Sequence, residues 1–486
     1  MITDELPFSI DARPIAQPGK TRLSKATLVM LGGCVVIVTL LKVFGILGGA
    51  LFLLLGAGIP VVAAMIAFPQ FGILTLLFAA YLIMWFIRMN LISFPLGTLM
   101  DAMEVLLLVG FLIKQKQQPD WKIYKNPITY LVVIWIIYNL IQVANPSAES
   151  RLAWLYTIRS VAMVMLMYFV FLYHITSVEF IRVIIKVWLA LSLFAAAYAL
   201  KQEFIGFAGF ELNELAASPK LQELLFIGGH WRKFSIFSDP VAFSYNMVAS
   251  TLLCIALIWG PTSAAKKIVL TVISCVLIFA MLFSGTRGAY VLIPAACCLW
   301  FILCYNRKIL VIMLIAAGVL GTLIMMPTDN PGLMRFQSAF RPSEDASYSV
   351  RANNQKRIKP YIHRHPLGGG LGATGVWGAR FAPYSFLASF PPDSGYVRVA
   401  VELGWLGLII FSTFMFVVLK TGIQNFFRIR DPELKSYCLA MVLIIFALNV
   451  GNFPQEALVQ FPTSIYFYMY IAIMMNTLRI DQQKWN

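Results

Sequence analysis

The chain has 486 residues, of which 60% are hydrophobic and only 12% are charged, and its mean hydropathy is +0.79. A globular domain in water cannot cover so much apolar surface, so the composition excludes the soluble classes of protein. The formal net charge of +16 suits a protein that meets anionic lipids or an anionic substrate at a membrane surface.

Apolar stretches of about 20 residues, the length that an α-helix needs to cross a bilayer, recur along the whole chain. They predict an all-α polytopic membrane protein with about 14 transmembrane helices, and with about 12 as the lower bound. The predicted spans are 26–43, 46–67, 71–88, 96–113, 128–144, 152–174, 179–200, 241–259, 267–284, 288–304, 309–326, 394–419, 436–451 and 462–478. The predicted regions are a cytoplasmic segment 1–25, a transmembrane region 26–326 with a smaller external loop near 202–239, a large external (periplasmic) loop 327–392, C-terminal transmembrane helices 393–478 and a cytoplasmic tail 479–486.

Lysine and arginine gather in the short loops on one side of these spans, which the positive-inside rule assigns to the cytoplasm. The clustered residues are Lys20, Arg22, Lys25, Lys114, Lys116, Lys122, Lys125, Lys266, Lys267, Arg307, Lys308, Lys420, Arg428, Arg430 and Lys435. The loop near 202–239, the turn at Ser284–Gly288 and the large loop 327–392 then share the opposite, external face. We expect both termini in the cytoplasm.

An unpaired charge within a span is costly. Asp101, Glu104 and Arg159 are charged residues that fall within predicted spans. Asp101 and Glu104 are candidate counter-ions for arginines elsewhere in the helix bundle, and a functional role is the alternative.

The first candidate site is the turn Ser284-Gly285-Thr286-Arg287-Gly288 between two apolar helices. A guanidinium recognises phosphate through two parallel hydrogen bonds, and small neighbouring residues let a bulky anion approach. Arg287 is therefore a candidate for binding a phosphate group. The alternative is an interfacial arginine that extends to lipid headgroups.

The second candidate precedes the span that begins near residue 241. Arg232 and Lys233 either contribute to an anion site or are ordinary surface charges. Asp239 followed by Pro240 is typical of a helix start, so capping is the favoured role for Asp239.

The third candidate lies in the large external loop, where basic residues precede a glycine-rich segment. The basic residues are Arg351, Lys356, Arg357, Lys359, His363, Arg364 and His365, and the segment is Pro366-Leu367-Gly368-Gly369-Gly370-Leu371-Gly372. Glycine leaves backbone N–H groups accessible to anions, so this pattern is a candidate diphosphate cradle. A solvated charged surface is the alternative.

The fourth candidate is Asp393-Ser394-Gly395-Tyr396 at the external end of a span, followed by Arg398 and Glu402. The Asp393 carboxylate is a candidate base or acceptor for a sugar hydroxyl, but the spacing by itself favours a helix N-cap role. Arg398 and Glu402 are four residues apart and are expected to pair on one helical face. Tyr396 is a candidate for stacking on a sugar ring or for an interfacial aromatic belt.

The order of these motifs over roughly residues 225–420 resembles the O-antigen polymerase and O-antigen ligase superfamily of bacterial envelope glycan enzymes. The motifs that carry the resemblance are Ser284-Gly285-Thr286-Arg287-Gly288, His365-Pro366-Leu367-x-Gly-x-x-Gly, Asp393-Ser394-x-Tyr396 and Glu402-x-Gly404-x-x-Gly407. This resemblance implies an inner-membrane enzyme that acts on undecaprenyl-diphosphate-linked glycans at the periplasmic face, with no metal and no other cofactor.

The resemblance also implies roles for individual residues. Arg287 and Arg351 match the arginines that hold the diphosphate in the family, and Arg287 also stabilises the leaving group. Asp393-Ser394 stands where ligases carry a histidine followed by asparagine or serine, so the sequence favours a polymerase in which Asp393 orients or deprotonates the acceptor hydroxyl. The candidate residues for glycan or diphosphate binding are Arg287, Arg351, Arg232, Arg357, His363, His365 and Tyr396.

The sequence thus predicts a metal-independent glycosyltransferase that polymerises lipid-linked repeat units, with a lipid-linked oligosaccharide and membrane lipids as partners and no nucleic acid. Transfer of a glycan to a lipid or protein acceptor is the first alternative. An exporter of polysaccharide or lipid-linked oligosaccharide is the second, although the sequence has no duplicated halves of the kind that transporters carry. An inactive scaffold in an assembly complex is the third.

Overall fold

The computed structural model describes residues 58–90, 96–227, 229–329, 331–340 and 346–485, together with 39, 42 and 56. The chain divides into two compact units, residues 1–63 and 64–486, and all the sites discussed below lie in the second unit. The predicted cytoplasmic segment 1–25, the span 26–43 apart from residues 39 and 42, and half of the span 46–67 lie outside the described residues.

Helices account for most of the described chain. The N-terminal helices are α1 (Gly58–Ala67), α2 (Pro69–Met89), α3 (Leu96–Gln117), α4 (Pro127–Ile141), α5 (Arg151–His174), α6 (Val178–Phe204), α7 (Gly209–Ala217) and α8 (Pro219–Leu225). The C-terminal helices are α9 (Pro240–Trp259), α10 (Ala264–Leu282), α11 (Arg287–Leu303), α12 (Arg307–Met325), α13 (Pro331–Ser338), α14 (Ala346–Arg364), α15 (Gly375–Phe381), α16 (Gly395–Arg428), α17 (Pro432–Gly451) and α18 (Thr463–Trp485). The strands β1 (Phe226–Ile227) and β2 (His230–Trp231) form one antiparallel hairpin.

The structure is that of an all-α polytopic membrane protein, as the sequence predicts. Within the described residues, nine helices are both long and apolar enough to cross a membrane. Each predicted span from 71–88 onward falls on a helix, although three of these helices, α3, α11 and α18, are not among the nine. α18 continues to Trp485, through most of the predicted tail 479–486.

The helices α9 and α17 form the centre of the bundle. In the apolar 18-residue stretch of each helix, 83% of the residues of α9 and 78% of those of α17 are buried. The corresponding share for α12 is 6%, so α12 is the most exposed of these three helices. Hydroxyl and amide side chains join α9 to its neighbours: Ser250 bonds Ser192 at 2.7 Å, and Asn246 donates to Thr463 at 3.2 Å. Such polar contacts hold helices together where lipid removes the hydrophobic driving force between them.

An ion pair within the bundle confirms one predicted counter-ion. The Nε atom of Arg159 on α5 lies 3.1 Å from the Asp101 Oδ2 atom on α3. Glu104 lies one turn further along α3 and is only 1% exposed. In the described chain, no arginine is recorded as its partner.

Five connecting segments meet at one face of the bundle, which we call the loop face. They are 142–150, 205–239, 283–286, 327–394 and 452–462. Hydrogen bonds connect these segments and the helix ends next to them: Lys233 N donates to Phe283 O at 2.9 Å, Asn145 Nδ2 to Leu367 O at 2.9 Å and Gly395 N to Asn452 O at 3.0 Å. The three segments predicted to share a face therefore do so. Within 327–392, the helices α13, α14 and α15 form, as expected for a loop of this length.

Candidate active site

The turn between α10 and α11 is held by an arginine from the β-hairpin. Arg232 Nε donates to the Ser284 carbonyl at 2.9 Å, and its Nη2 donates to the Thr286 hydroxyl at 3.1 Å. Thr286 Oγ1 in turn donates to the Pro240 carbonyl at 3.1 Å, so the turn is also fastened to the start of α9. Arg232 and the Ser284–Gly288 motif, two separate candidates in the sequence, thus form one structure.

A second arginine reaches the same turn from α13. Arg335 Nε donates to the Gly285 carbonyl at 2.7 Å. Gly285 has a φ of +59°, and a Cβ atom at this position would lie 2.9 Å from Arg335 Nε. Glycine is therefore needed both for the backbone conformation and for the approach of the guanidinium. Arg335 is not among the candidates that the sequence motifs indicate, and its one local signal is its place in a short helix shortly after a span.

Arg287 is the first residue of α11 and completes the group around the turn. Its Nη1 atom lies 3.4 Å from the Ser338 hydroxyl, at the end of the helix that carries Arg335. The N-terminus of α11 adds the positive end of a helix dipole at the same place. We call Arg232, Arg287 and Arg335 the arginine cluster.

The arginine cluster holds three positive charges close together in a partly buried site. Burial first, and then the neighbouring Arg335 and Arg287, lower the pKa of Arg232 to about 10, while Asp239 opposes this shift. Like charges at this range repel one another, so a bound anion would stabilise all three guanidinium groups. A phosphate or diphosphate, with negative charge and oxygens for several donors, matches the charge and the donor groups of this cluster.

Arg351 on α14 lies near the same region but is not joined to the turn. Its guanidinium interacts electrostatically with Tyr245, whose hydroxyl donates to the Gly451 carbonyl at 3.1 Å. A Cβ atom at Gly288 would lie 3.1 Å from that Tyr245 hydroxyl oxygen. Tyr245 is thus close to the start of α11 and interacts with Arg351.

Lys233 takes no part in the arginine cluster. It is 5% exposed, its Nζ atom lies 3.2 Å from Glu203 Oε2, and it sits 4.8 Å from the centre of the Phe207 ring. The interpretation as ordinary surface charge is wrong for Lys233, which is a buried, ion-paired residue.

The two candidate caps have different outcomes. Asp239 caps α9, because its Oδ1 atom accepts from Val241 N at 2.8 Å and Ala242 N at 3.0 Å. At α16 the capping residue is Ser394, whose side chain accepts from Val397 N. The N-cap interpretation of Asp393 is therefore wrong, and its Oδ2 atom instead accepts a hydrogen bond from Asn354 Nδ2 at 3.1 Å.

The loop 452–462 connects the two halves of the site. Gly395 N donates to the Asn452 carbonyl at 3.0 Å and to the Gln455 carbonyl at 3.3 Å, so the loop packs on the start of α16. The same loop packs on the start of α11, where a Cβ atom at Gly288 would lie 3.5 Å from Pro454 Cγ. The starts of α11 and α16, next to the arginine cluster and to Asp393, therefore both contact the short segment 452–455.

A buried network of ion pairs begins at Arg398, in the first turns of α16 after Asp393. Arg398 Nε lies 3.2 Å from Glu402 Oε1, which confirms the predicted pair on α16. Arg398 Nη1 also donates to Glu456 Oε2 at 2.8 Å, from the loop 452–462. Glu456 carries no local motif, and the sequence analysis missed it.

The comparisons with known proteins concern this same region. Residues 272–412 match a family described as O-antigen ligase. An O-antigen polymerase of Salmonella muenchen is 28% identical over 218 residues, which are 43% of this chain and 51% of that relative. The comparisons support the O-antigen polymerase and ligase superfamily. The resemblance that the sequence motifs indicated is thereby confirmed, and the chain matches about half the length of the curated relative.

The region that matches the O-antigen ligase family contains only part of the site. It includes the turn at Ser284–Gly288, Arg335, Asp393 and the pair Arg398–Glu402. Arg232 and Glu456 lie outside it, on either side in the sequence. Both are brought in by hydrogen bonds between distant segments, from Arg232 to Ser284 and Thr286 and from Arg398 to Glu456.

The glycine-rich segment is not an anion cradle. Its amides donate within the chain: Gly368 to His365 O, Gly369 to Val401 O, Gly370 to Glu402 O and Gly372 to Glu402 Oε2. The prediction that these N–H groups bind a diphosphate is therefore wrong. The glycines instead let the segment lie against the backbone of α16 where that helix is interrupted at Gly404, whose φ is +68°.

Gly404 offers a test of this packing. A Cβ atom there would lie 1.9 Å from the Pro366 carbonyl oxygen, and the backbone conformation itself disfavours any other residue. We expect Gly404→Ala to lower the free energy of unfolding by about 3 kcal/mol or more and to reduce the yield of folded protein. Thermal unfolding in detergent would measure this, with Gly318→Ala as the control, because nothing lies within 4 Å of a Cβ atom at Gly318. Equal melting temperatures for the two variants would contradict the packing.

The remaining candidate residues are held by aromatic and polar contacts around α14 and α16. Arg357 lies over the Phe386 ring at 5.3 Å, and His363 lies 5.6 Å from Trp405 and is exposed. His365 stacks on Tyr361 at 4.0 Å, and the Tyr396 hydroxyl bonds Asn449 Oδ1 at 2.9 Å. Within the described residues, no recorded contact joins any of these four to the arginine cluster.

A mainly apolar cavity of about 320 Å³ lies beside this network, between α4, α5, α16 and α18. Trp135, Phe411 and Tyr468 contribute to its walls, and Arg398 and Glu402 line its polar part. The side chains of the ion-pair network therefore border both the loop face and the interior of the bundle.

Proposed function

We propose that this protein is an inner-membrane glycosyltransferase that polymerises undecaprenyl-diphosphate-linked oligosaccharide repeat units into a surface or exported polysaccharide. The family match and the curated polymerase relative support an enzyme of envelope glycan assembly. The departure at Asp393-Ser394 from the ligase pattern favours a polymerase.

One observation carries the proposal. The arginine cluster lies at the start of α11 and Asp393 precedes the start of α16, and both helix starts contact residues 452–455, so three cations and a carboxylate flank one short segment. A glycosyl transfer from a lipid diphosphate needs these two chemistries: cations where the leaving group becomes negative, and a carboxylate where the attacking hydroxyl loses its proton.

The reaction then follows from the positions of these groups. A hydroxyl of the acceptor glycan attacks the anomeric carbon of the donor glycan and forms the new glycosidic C–O bond. The bond between that carbon and the phosphate oxygen breaks, and its electron pair leaves with undecaprenyl diphosphate. The arginine cluster, with Arg351 nearby, stabilises this charge, and Asp393 accepts the hydroxyl proton.

The proposed orientation places the loop face in the periplasm. At the opposite ends of the helices lie Lys114, Lys266, Arg307 and Arg428, as the positive-inside rule requires for a cytoplasmic face. Both termini are then cytoplasmic. The substrates proposed here are presented on the periplasmic leaflet, which agrees with this orientation.

Ligation is the second candidate function, because the matched family is described as O-antigen ligase. In that case, the acceptor hydroxyl belongs to a different lipid or to a protein. The donor side of the site would be the same, since both reactions release undecaprenyl diphosphate.

The deciding experiment uses the purified protein in nanodiscs with an undecaprenyl-diphosphate glycan from its host, and the products are resolved on a gel. A ladder of longer lipid-linked glycans supports the polymerase. Product formation only after a lipid or protein acceptor is added supports the ligase. Movement of an unchanged glycan across a vesicle membrane supports an exporter and overturns the proposed chemistry.

A further inference from the structure

Glu456 differs from the other carboxylate that binds Arg398. Glu402 is 3% exposed and also accepts hydrogen bonds from Gly372 N at 3.0 Å, from Thr374 N at 3.2 Å and from the Thr374 hydroxyl. Glu456 has Arg398 as its one recorded hydrogen-bond partner in the described chain, and its side chain is 22% exposed. Glu402 is thus fully used by the fold, whereas Glu456 keeps oxygen lone pairs for a ligand.

The position of Glu456 relative to Asp393 is set by the backbone. Gly395 N bonds the Asn452 and Gln455 carbonyls, and the Ser394 hydroxyl donates to the Asn452 carbonyl at 3.3 Å. Asp393 and Glu456 each lie within two residues of this junction. A Cβ atom at Gly395 would lie 2.0 Å from the Asn452 Oδ1 atom, so the two segments pack without space between them.

The two carboxylates also affect each other electrostatically. Burial, together with the negative charges of Glu402 and Asp393, raises the pKa of Glu456, and Arg398 opposes this shift. Three carboxylates and one guanidinium give this end of the site, at the start of α16, an excess of negative charge. The other end of the site, at the start of α11 beside the arginine cluster, has an excess of positive charge.

This charge separation decides which part of a substrate each end can take. A diphosphate is repelled by the carboxylates and attracted by the arginine cluster. Sugar hydroxyls carry no charge and donate hydrogen bonds, so they suit carboxylates that have unused lone pairs. An acceptor sugar with a carboxylate of its own would be repelled in the same way as the diphosphate.

We propose that Glu456 and Asp393 together bind the terminal sugar of the acceptor, an uncharged sugar whose hydroxyls donate to both carboxylates. Arg398 is the positioning residue that holds Glu456, and Glu402 in turn holds Arg398. This inference rests on the proposed function and adds the acceptor side to it. In the reaction described above, the proton of the attacking hydroxyl passes to this carboxylate pair, while the electron pair of the broken bond leaves with the diphosphate.

The test compares Glu456→Gln with the wild-type protein in nanodiscs. The donor is the undecaprenyl-diphosphate glycan of the host, and the acceptor is the same repeat unit on a short-chain prenyl diphosphate. We expect kcat/KM for the acceptor to fall by about 100-fold, with the KM for the donor unchanged. Glutamine keeps an oxygen that accepts from Arg398, so a purely structural role predicts little effect. The matched control is Glu203→Gln, another ion-paired carboxylate near the loop face, 3.2 Å from Lys233.

The pH dependence is a second readout. The charged groups that face Glu456 are Arg398 and Glu402 on α16 and Asp393 before it. Because the pKa of Glu456 is raised, Glu456 becomes protonated at a higher pH than an ordinary carboxylic acid does. Wild-type activity is therefore expected to fall as the pH is lowered toward this raised pKa. The Glu456→Gln variant should lose this part of the pH profile.

The outcomes are distinguishable. A wild-type protein that forms no longer glycans in any acceptor mixture overturns the proposed function, and the inference fails with it. An active wild-type protein with an equally active Glu456→Gln variant overturns the inference alone. The inference is also overturned if the melting temperature of Glu456→Gln falls together with its activity while Glu203→Gln is normal. That result would show that Glu456 has a structural role. Lost acceptor turnover with unchanged melting and donor binding supports it.

Discussion

Replacing Arg287 with alanine is expected to lower the rate of chain elongation by about 10²–10³-fold, the effect of removing one donor from a preorganised anion site. Arg287 begins α11 next to the turn that Arg232 and Arg335 hold, where the leaving diphosphate is proposed to bind. Gel-resolved product formation with the lipid-linked donor measures the loss.

Lysine at the same position separates charge from geometry. Arg287→Lys keeps the positive charge but cannot form two parallel hydrogen bonds to a phosphate, so we expect it to fail nearly as badly as alanine. Arg380→Ala is the matched control, because Arg380 is an arginine of the loop-face segment 327–394 whose guanidinium lies over the Trp377 ring, 5.9 Å from its centre. Full activity of the lysine variant would show that two-point recognition of phosphate by Arg287 is not used.

Asp393→Asn is expected to lower kcat by about 10²–10⁴-fold, because the amide cannot accept the proton of the acceptor hydroxyl. The fold should be unaffected, since Ser394 is the cap of α16 and asparagine keeps an oxygen for the bond from Asn354. Steady-state elongation rates at saturating donor, together with thermal unfolding, measure both effects.

Two variants provide the comparison for Asp393. Asp431→Asn makes the same change at the N-cap of α17, at the other end of the bundle, and should leave elongation unchanged. Ser394→Ala removes the true cap of α16 and should lower the free energy of unfolding by about 1 kcal/mol while the carboxylate remains. Turnover by Asp393→Asn at the wild-type rate would contradict its role as the base.

The sequence predicted local features of the site well. The Asp239 cap and the Arg398–Glu402 pair depend on residues within four positions of each other, and both are present. The Asp101–Arg159 ion pair followed from the cost of a charge within the bundle. These interactions are set by helical spacing or by desolvation, which can be read without knowing the tertiary structure.

The sequence misled where a residue's role depends on a distant partner. The glycine-rich segment has the composition of an anion-binding loop, but its amides donate to α16 and to Glu402. Asp393 and Ser394 are both common N-cap residues, and their order alone does not show which of them begins the helix. Glu456 has no local pattern at all, and Arg335 has only its place shortly after a span.

The sequence by itself determined the class of the protein, because hydropathy and the lengths of apolar stretches are local properties of the chain. It also determined the order of the motifs on which the superfamily resemblance depends. Which charges act together depends on the tertiary structure. Arg232 and Arg335 bond to residues of the same turn that are 52 and 50 positions away in the sequence, and Arg398 bonds to Glu456, which is 58 positions away. Such contacts are produced by the packing of α9, α11, α16 and α17, and no spacing in the sequence encodes them.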